Sequence, residues 1–176
     1  MKSIRIALCA VTAALLCAIA PISLPLGAIP ISLATMILYV IASCVEPKIS
    51  FTATALYLLL GCAGLPVFSG FTGGFQRIAG VTGGFLVGYL PCVIIIGILI
   101  KYFGNKKIIY PLSMAAGTAL CYICGTAWYI FLTKSSVTAA VTVCVLPFLI
   151  GDAVKIAAAS VIAITVRPSL KKLFKH

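Results

Sequence analysis

The chain has 176 residues, a formal net charge of +11 and a mean hydropathy of +1.27, and only 9% of its residues are charged. Soluble domains carry about 25% charged residues, so this composition excludes a soluble globular protein. It predicts one all-α integral membrane domain over residues 1–176. The 13 basic residues are spread along the chain, which argues against nucleic-acid binding and for a bilayer.

Apolar runs predict six membrane-spanning helices, at residues 6–22, 31–45, 49–62, 81–102, 109–132 and 137–166. The second and third runs are short for a helix that crosses alone, and their merger into one hairpin is an alternative. Two basic residues precede the first run, as in a signal peptide. Because the chain stays hydrophobic throughout, we interpret this run as a retained first helix.

Lysine and arginine counts predict the orientation of these helices. Ten of the 13 basic residues fall on one side: Lys2, Arg5, Lys48, Lys101, Lys106, Lys107, Arg167, Lys171, Lys172 and Lys175. The other side has only Arg77 and Lys134, and Lys155 lies within a run. Cytoplasmic loops are enriched in basic residues, so we expect a multi-pass protein of the cell membrane with both termini in the cytoplasm.

The first run carries small residues at a regular spacing. Ala10, Ala14 and Ala18 repeat every four residues and therefore share one face of a helix. Such a face lets a second helix approach closely in a membrane. The alanine stripe is either a contact with a partner protein or a packing face within this chain.

A glycine-rich segment at residues 61–88 joins the third and fourth runs and holds nine of the 15 glycines. A segment of this composition does not form a continuous helix. Irregular backbone persists in a membrane only where protein or a water-filled cavity covers it. The segment is therefore either a flexible external loop or a structured loop that lines a substrate site.

Side chains in and near this segment are candidates for substrate contact. Phe68, Phe71 and Phe75 offer an apolar wall, and Arg77 is the one basic residue near them. Trp128, near the external end of the fifth run, is an interface anchor or a stacking partner for a ligand. Backbone N–H groups suited to a polar ligand lie at Gly73, Gly74, Thr82, Gly83 and Gly84.

The chain has only two acidic residues. Glu46 adjoins Pro47 at a predicted turn, and we interpret it as a solvated charge. Asp152 lies inside the sixth run, and Lys155 follows three residues later on the same helical face. Burial of either charge alone is costly, so the two form either a ligand-binding pair or a structural ion pair.

No catalytic arrangement of Ser, His and Asp, no pair of carboxylates and no nucleotide-binding motif occurs. The single histidine is His176, and the C-x-x-C of Cys121 and Cys124 lies in an apolar run. We therefore expect no enzyme activity, no cofactor and no metal. Active transport then needs energy from another subunit or an ion gradient. The alternatives from other classes are a membrane enzyme acting on a lipid-linked substrate and a scaffold without a ligand.

Four segments occur in a recognisable order: PISL at 30–33, ALYLLLGCAGLPVFSGFTGGF at 55–75, GVTGGFLVGY at 80–89 and GDAVK at 151–155. Together they resemble the BioY family, the biotin-specific S components of energy-coupling factor (ECF) transporters. The resemblance covers most of the chain. It implies six membrane helices, high-affinity biotin binding near the external face, and docking to a membrane T subunit driven by two ATPase subunits.

The resemblance also implies roles for individual positions. Asp152 and Lys155 match ligand-contacting residues of the sixth helix, and segments 64–74 and 82–84 match the lining of the pocket. The alanine stripe matches the face by which S components meet the T subunit. One position departs from the family, since Val81 stands where a proline is usual. This departure bears on the rigidity of the junction between loop and helix.

Biotin has a ureido ring, an apolar tail and a carboxylate. We expect Asp152 to accept a hydrogen bond from a ureido N–H, and either Lys155 or Arg77 to neutralise the carboxylate. An S component for a different vitamin is the nearest alternative.

Overall fold

The computed structural model of the chain describes residues 2–24, 31–104 and 106–173. Three positions named above, Pro30, Lys175 and His176, lie outside these ranges. The described helices are α1 (Lys2–Ile19), α2 (Ala34–Cys44), α3 (Pro47–Cys62), α4 (Phe75–Ala79), α5 (Gly83–Phe103), α6 (Ile109–Thr133), α7 (Val137–Cys144) and α8 (Leu146–Leu173). Two short strands, β1 (Ser23–Leu24) and β2 (Ile31–Ser32), complete the described elements.

The predominantly helical fold agrees with the all-α prediction, and the strands add a feature that the sequence did not predict. They pair antiparallel, with Ser23 opposite Ser32 and Leu24 opposite Ile31. They follow Pro21, which lacks an N–H group and cannot continue α1. The pair therefore turns the chain between the first two predicted runs.

Each predicted run coincides with a helix or, in one case, two. The second and third runs form the two helices α2 and α3, which contact each other. The extended residues Val45 and Glu46 join the two helices, and Pro47 starts α3. Proline suits the first helical turn, because its missing N–H has no partner there in any case.

Three described helical segments are long and apolar enough to cross a membrane: Gly83–Phe103, Ile109–Thr133 and Val137–Leu170. The shorter apolar helices are Ser3–Ile19, Ala34–Cys44 and Pro47–Cys62. At 11 residues, α2 is roughly 16 Å long. The hydrocarbon core of a bilayer is about 30 Å thick, so α2 does not cross it without the residues at its ends.

The sixth predicted run divides at Val145 into α7 and α8. The Ser136 hydroxyl accepts a hydrogen bond from the Ala139 N–H (3.4 Å) and caps α7. Pro147 is the second residue of α8, where it breaks no helical hydrogen bond. This break sets the start of α8 just before Asp152.

Helices α5 and α6 form the most extensive helix pair, and α2 packs against both α5 and α8. Glycine makes the close approach of α5 to α6 possible. A Cβ atom at Gly84 would overlap the Trp128 side chain, and one at Gly88 would press on Cys121. Because α6 also contacts α8, the four helices α2, α5, α6 and α8 enclose a common interior. Helix α1 packs mainly on α3.

The glycine-rich segment is hydrogen-bonded to the helices around it. The Gly74 N–H donates to the Gly61 carbonyl (2.7 Å), and the Gly70 N–H donates to the Pro21 carbonyl (2.9 Å). Phe68 is buried, and its ring meets that of Tyr57 edge to face at 5.6 Å. These contacts attach the segment to the ends of α1 and α3.

Candidate functional site

A buried ion pair is the most unusual feature of the interior. Asp152 and Lys155 of α8 are 5% and 8% exposed, and Lys155 Nζ lies 3.0 Å from Asp152 Oδ1. The Tyr122 hydroxyl of α6 donates to Asp152 Oδ2 at 2.5 Å. Lys155 Nζ also donates to Thr35 Oγ1 of α2 at 3.2 Å. Three helices therefore contribute polar groups to one point.

The network satisfies part, but not all, of the hydrogen-bonding capacity of the two charged groups. An ammonium has three donors and a carboxylate has about four acceptor positions. Here Lys155 donates to Asp152 and Thr35, and Asp152 accepts from Lys155, from Tyr122 and, at 3.5 Å, from Thr35. Within a low-dielectric interior, the remaining positions favour a bound polar group, because unpaired polar groups are costly there.

A second buried polar pair lies close to the first. The Tyr39 hydroxyl of α2 is 2.6 Å from Thr118 Oγ1 of α6, and Tyr39 is completely buried. Neither residue has a charged partner within hydrogen-bond distance in the described part of the chain. The pair fixes α2 to α6 beside the ion pair.

A cavity of about 60 Å³ opens onto both polar pairs. Its polar wall consists of the residues just described, and its other walls are mainly aromatic. The lining residues are Ser32, Thr35, Tyr39, Phe85, Tyr89, Cys92, Thr118, Cys121, Tyr122, Phe148, Asp152 and Lys155. An aromatic chamber with one charged wall can hold a flat, polar ring. It offers no nucleophile with an adjacent base.

A second cavity, of about 50 Å³, lies under the glycine-rich segment. It shares three lining residues with the first: Ser32, Phe85 and Tyr89. Its remaining lining residues are Phe68, Ser69, Thr72, Arg77, Thr82 and Leu86. The shared side chains therefore form a partition between the charged chamber and a chamber lined by the loop.

The structure divides the predicted site residues between these chambers. Asp152 and Lys155 line the first, whereas Phe68, Arg77 and Thr82 line the second. Phe75 lines neither chamber and is 70% exposed at the start of α4.

Trp128 also lies outside both chambers. Its Nε1–H donates to the Gly80 carbonyl at 3.0 Å, and its side chain packs against Gly84. Through these contacts Trp128 holds the end of the glycine-rich segment against α6. This bond adjoins Val81, the position that departs from the family pattern.

Two of the predicted backbone donors are already engaged within the protein. The Gly74 N–H donates to Gly61, and the Gly83 N–H donates to the Gly80 carbonyl at 3.0 Å. Gly83 and Gly84 are both buried, and an added Cβ at either position would overlap neighbouring backbone or side-chain atoms. These two glycines permit the close packing at the start of α5.

The polar lining residues that were not predicted from the sequence include Thr35, Tyr39, Tyr89 and Tyr122. Each is a polar residue within or next to an apolar run, and this is the signal that could have drawn attention to them. The helical faces that meet in the interior depend on tertiary packing, which the sequence pattern does not reveal.

The alanine stripe lies on the outside of the molecule. Ala10, Ala14 and Ala18 are all exposed on α1, whereas Ala13 and Leu16 on the opposite face are buried. In this structure the stripe is therefore not used for packing against another described helix. The described residues also include no group of three or more His, Cys, Asp or Glu side chains placed to hold a metal ion.

Comparison with known proteins identifies the family. The family model described as "BioY family" matches residues 1–172. The biotin transporter BioY of Thermotoga maritima is 35% identical over 86% of this chain and 86% of its own length. The biotin transporter BioY2 of Lactococcus lactis is 33% identical over 88% of this chain and 85% of its own length.

A solved structure supports the same assignment at the level of the fold. The chain is similar to the crystal structure of the S-component for biotin from an ECF-type ABC transporter, with a TM-score of 0.85. The match covers 97% of this chain and 92% of that one, at 22% identity. The matched relatives are named as transporters, in agreement with the expectation that this chain is not an enzyme. The resemblance seen in the sequence is confirmed, and the chain belongs to the BioY family.

Proposed function

We propose that this chain captures biotin as the substrate-binding subunit of an ECF-type transporter. The observation that carries the proposal is the buried pair of Asp152 and Lys155 at the end of an aromatic chamber. A charge pair inside a membrane protein is costly unless it has partners or a function, and this pair retains free hydrogen-bonding positions. The matched relatives are named as biotin transporters, and biotin is therefore the ligand that we propose.

The charged chamber suits the ureido ring of biotin. Asp152 accepts a hydrogen bond from a ureido N–H, and the Lys155 ammonium donates to the ureido carbonyl. The aromatic walls formed by Phe85, Tyr89 and Phe148 cover the faces of the ring system. Both polar contacts form in a dehydrated interior, where charge-assisted hydrogen bonds are strongest.

Arg77 suits the carboxylate better than Lys155 does. Both acidic side chains of the protein already have basic partners, since Glu46 pairs with Arg5 and Asp152 with Lys155. Arg77 lines the second chamber, on the other side of the shared partition. A biotin molecule that extends through the partition has its ring at Asp152 and its carboxylate toward Arg77.

Binding in this manner requires the two chambers to join. Ligand sites for molecules of this size measure roughly 300 Å³ or more, and each chamber is much smaller. Rotation of Phe85 and Tyr89, which line both chambers, connects them. The glycine-rich segment then acts as a structured lid and wall over the second chamber.

The proposed topology has six membrane spans and both termini in the cytoplasm. Its support is the separation of charge along the helices. Arg5, Lys48, Lys101 and Arg167 surround one cavity at the ends of α2 and α5, whereas Arg77 lines the chamber near the start of α5. Basic residues mark the cytoplasmic side, so biotin enters from the outside.

The partners in this proposal are a membrane T subunit and two ATPase subunits. The exposed alanine stripe of Ala10, Ala14 and Ala18 gives a helix of the T subunit a surface for close approach. The chain has no nucleotide-binding motif, so the ATPase subunits provide the energy for transport.

The experiment is to identify the ligand and then to locate its carboxylate. Mass spectrometry of the protein after mild-detergent purification is expected to find biotin, and titration calorimetry with a panel of vitamins is expected to show binding of biotin alone. Another vitamin would indicate an S component of different specificity. Turnover of a lipid-linked substrate would indicate an enzyme, and no ligand at all would indicate a scaffold.

Biotin methyl ester, which lacks the negative charge, tests the role of Arg77. Arg77→Ala is expected to weaken biotin binding roughly tenfold and to leave binding of the ester unchanged. Lys134→Ala removes another exposed charge that lines neither chamber and serves as the matched control. An equal loss for biotin and its ester would exclude a carboxylate contact at Arg77.

A further inference from the structure

A third cavity lies at the opposite end of the molecule from the candidate site. The candidate site involves the first half of α2, α5 and α8, whereas this cavity lies at the last turns of the same helices. It measures about 690 Å³, which is within the range of roughly 300–1,000 Å³ that is usual for ligand pockets. It is more than tenfold larger than the chamber at Asp152.

The cavity is strongly basic. Four cationic side chains line it, each from a different helix: Arg5 of α1, Lys48 of α3, Lys101 of α5 and Arg167 of α8. Its one acidic residue is Glu46, which pairs with Arg5 at 3.3 Å.

The protein cannot neutralise the other three cations with its own acidic side chains. It has only two, and Asp152 is engaged with Lys155 at the far end. Arg167 is held in place by donating to the Ile100 carbonyl (3.2 Å) and the Tyr110 hydroxyl (2.9 Å). The cavity therefore presents three cationic side chains with which no acidic side chain of the protein pairs.

The remaining wall of the cavity is mainly apolar, with Ser43 as a polar exception, and continues onto the outer surface. Ala42 and Ile100 are buried at its base. Ile98 and Tyr102 also line it and are exposed on α5, a helix apolar enough to span a membrane. An apolar wall does not stabilise a bound soluble anion, whereas the acyl chain of a lipid packs against it.

We propose that this cavity binds the headgroup of an anionic phospholipid. The lipid phosphate lies between Lys48 and Lys101 with Arg167 behind it, and the first part of an acyl chain follows Ile98 along α5. Basic pockets between membrane helices are suited to anionic headgroups. The lipid joins residues from separate helices at the base of the bundle, so its binding stabilises the folded protein. This site is independent of biotin recognition.

Native mass spectrometry of the full chain in mild detergent tests the proposal. Phosphatidylglycerol and phosphatidylcholine with the same acyl chains are added at equal concentration, and retained lipid is counted. We expect preferential retention of phosphatidylglycerol. The double variant Lys48→Gln/Lys101→Gln is expected to reduce that retention roughly tenfold or more. Both lysines are exposed and make no described salt bridge, so the variant is expected to fold.

The control is Lys106→Gln/Lys107→Gln, which removes the same charge from two exposed residues that do not line the cavity. It is expected to retain phosphatidylglycerol as the unmodified protein does. An equal loss in both double variants would indicate diffuse surface charge and overturn the proposal, as would equal retention of the two lipids.

A further arm distinguishes a lipid from a soluble anion. The thermal unfolding midpoint is measured with phosphatidylglycerol, with glycerol phosphate and with inorganic phosphate. We expect only phosphatidylglycerol to raise the unfolding midpoint. The rise is expected to be smaller in Lys48→Gln/Lys101→Gln. A similar rise with either soluble phosphate would assign the cavity to a soluble ligand. Unchanged lipid binding by Lys48→Gln/Lys101→Gln would overturn the proposal and would favour an acidic partner protein as the ligand of these lysines.

Discussion

The two acidic residues of this protein form two salt bridges in opposite environments. Asp152 and Lys155 are 7% and 10% exposed at the side chain, whereas Glu46 and Arg5 are 44% and 56% exposed. The N···O distances are similar, at 3.0 Å and 3.3 Å. The buried pair also has Tyr122 and Thr35 as hydrogen-bonding partners. The N···O distances alone would therefore predict salt bridges of equal strength.

The difference in burial gives the two pairs different consequences. A pair in water contributes little, because solvent screens the attraction and solvates each charge equally well alone. A buried pair is costly to assemble and more costly to break, because the remaining charge has no solvent. The buried pair is therefore expected to be a weak source of stability, and in the proposed function it determines which ligand can enter the chamber.

The largest expected effect is the loss of one partner from the buried pair. Lys155→Met leaves the Asp152 carboxylate buried without its cation and is expected to destabilise the protein by about 3–5 kcal/mol. Thermal unfolding with a thiol-reactive fluorophore measures this, since Cys92, Cys121 and Cys144 are buried in the folded protein.

The double variant Asp152→Asn/Lys155→Met separates stability from binding. Removal of both charges is expected to restore most of the lost stability, because neither remains unpaired. Binding of biotin is expected to stay lost. A double variant as unstable as Lys155→Met would show that the pair is needed to hold the helices together, which is the structural alternative.

A smaller effect is expected at Tyr122. Tyr122→Phe removes the hydroxyl that donates to Asp152 Oδ2 and leaves the aromatic wall in place. This hydrogen bond orients the Asp152 carboxylate within the chamber, so its loss is expected to weaken biotin binding roughly tenfold. Calorimetry measures the affinity for biotin. Tyr129→Phe is the control, because Tyr129 lines neither chamber. Equal affinities for the two variants would remove Tyr122 from the network.

The smallest effect is expected at the exposed pair. Glu46→Gln keeps the size of the side chain and is expected to change the free energy of unfolding by less than about 1 kcal/mol. The same thiol-reactive assay measures it. A loss comparable to that of Lys155→Met would contradict the contrast between the two pairs.

The sequence was sufficient to predict the charge pair and the positions of most helices, but not the break at Val145 or the short helix α4. Asp152 and Lys155 stand three residues apart in an apolar run, so their shared helical face follows from helix geometry alone. The helix ends near Pro21 and Pro47 follow from the missing proline N–H. The family resemblance rested on short segments whose order along the chain could be read directly.

The partners of the pair were not predictable in this manner. Tyr122 and Thr35 reach Asp152 and Lys155 only because α6 and α2 present particular faces to α8, and no local pattern specifies those faces. Trp128 illustrates the same limit. Its position near the end of an apolar run favoured an interface or ligand contact, whereas its N–H bonds to Gly80 across a tertiary contact.

The division of the site into two chambers also depends on side-chain packing. Phe85 and Tyr89 lie one helical turn apart on α5, and both line each chamber. The sequence showed two aromatic residues near a glycine-rich segment, but not that they separate a charged chamber from a loop-lined one. In the proposed function, that separation places different ends of biotin at Asp152 and Arg77.

The most direct test is calorimetric titration of biotin into the unmodified protein, Asp152→Asn and Glu46→Gln in the same detergent. Asp152→Asn changes one charge in the chamber without changing its size, and Glu46→Gln makes the same chemical change at the exposed pair. We predict that Asp152→Asn weakens binding at least about 30-fold and that Glu46→Gln leaves it unchanged. Full biotin affinity in a folded Asp152→Asn protein would contradict the proposal that the buried pair recognises the ligand.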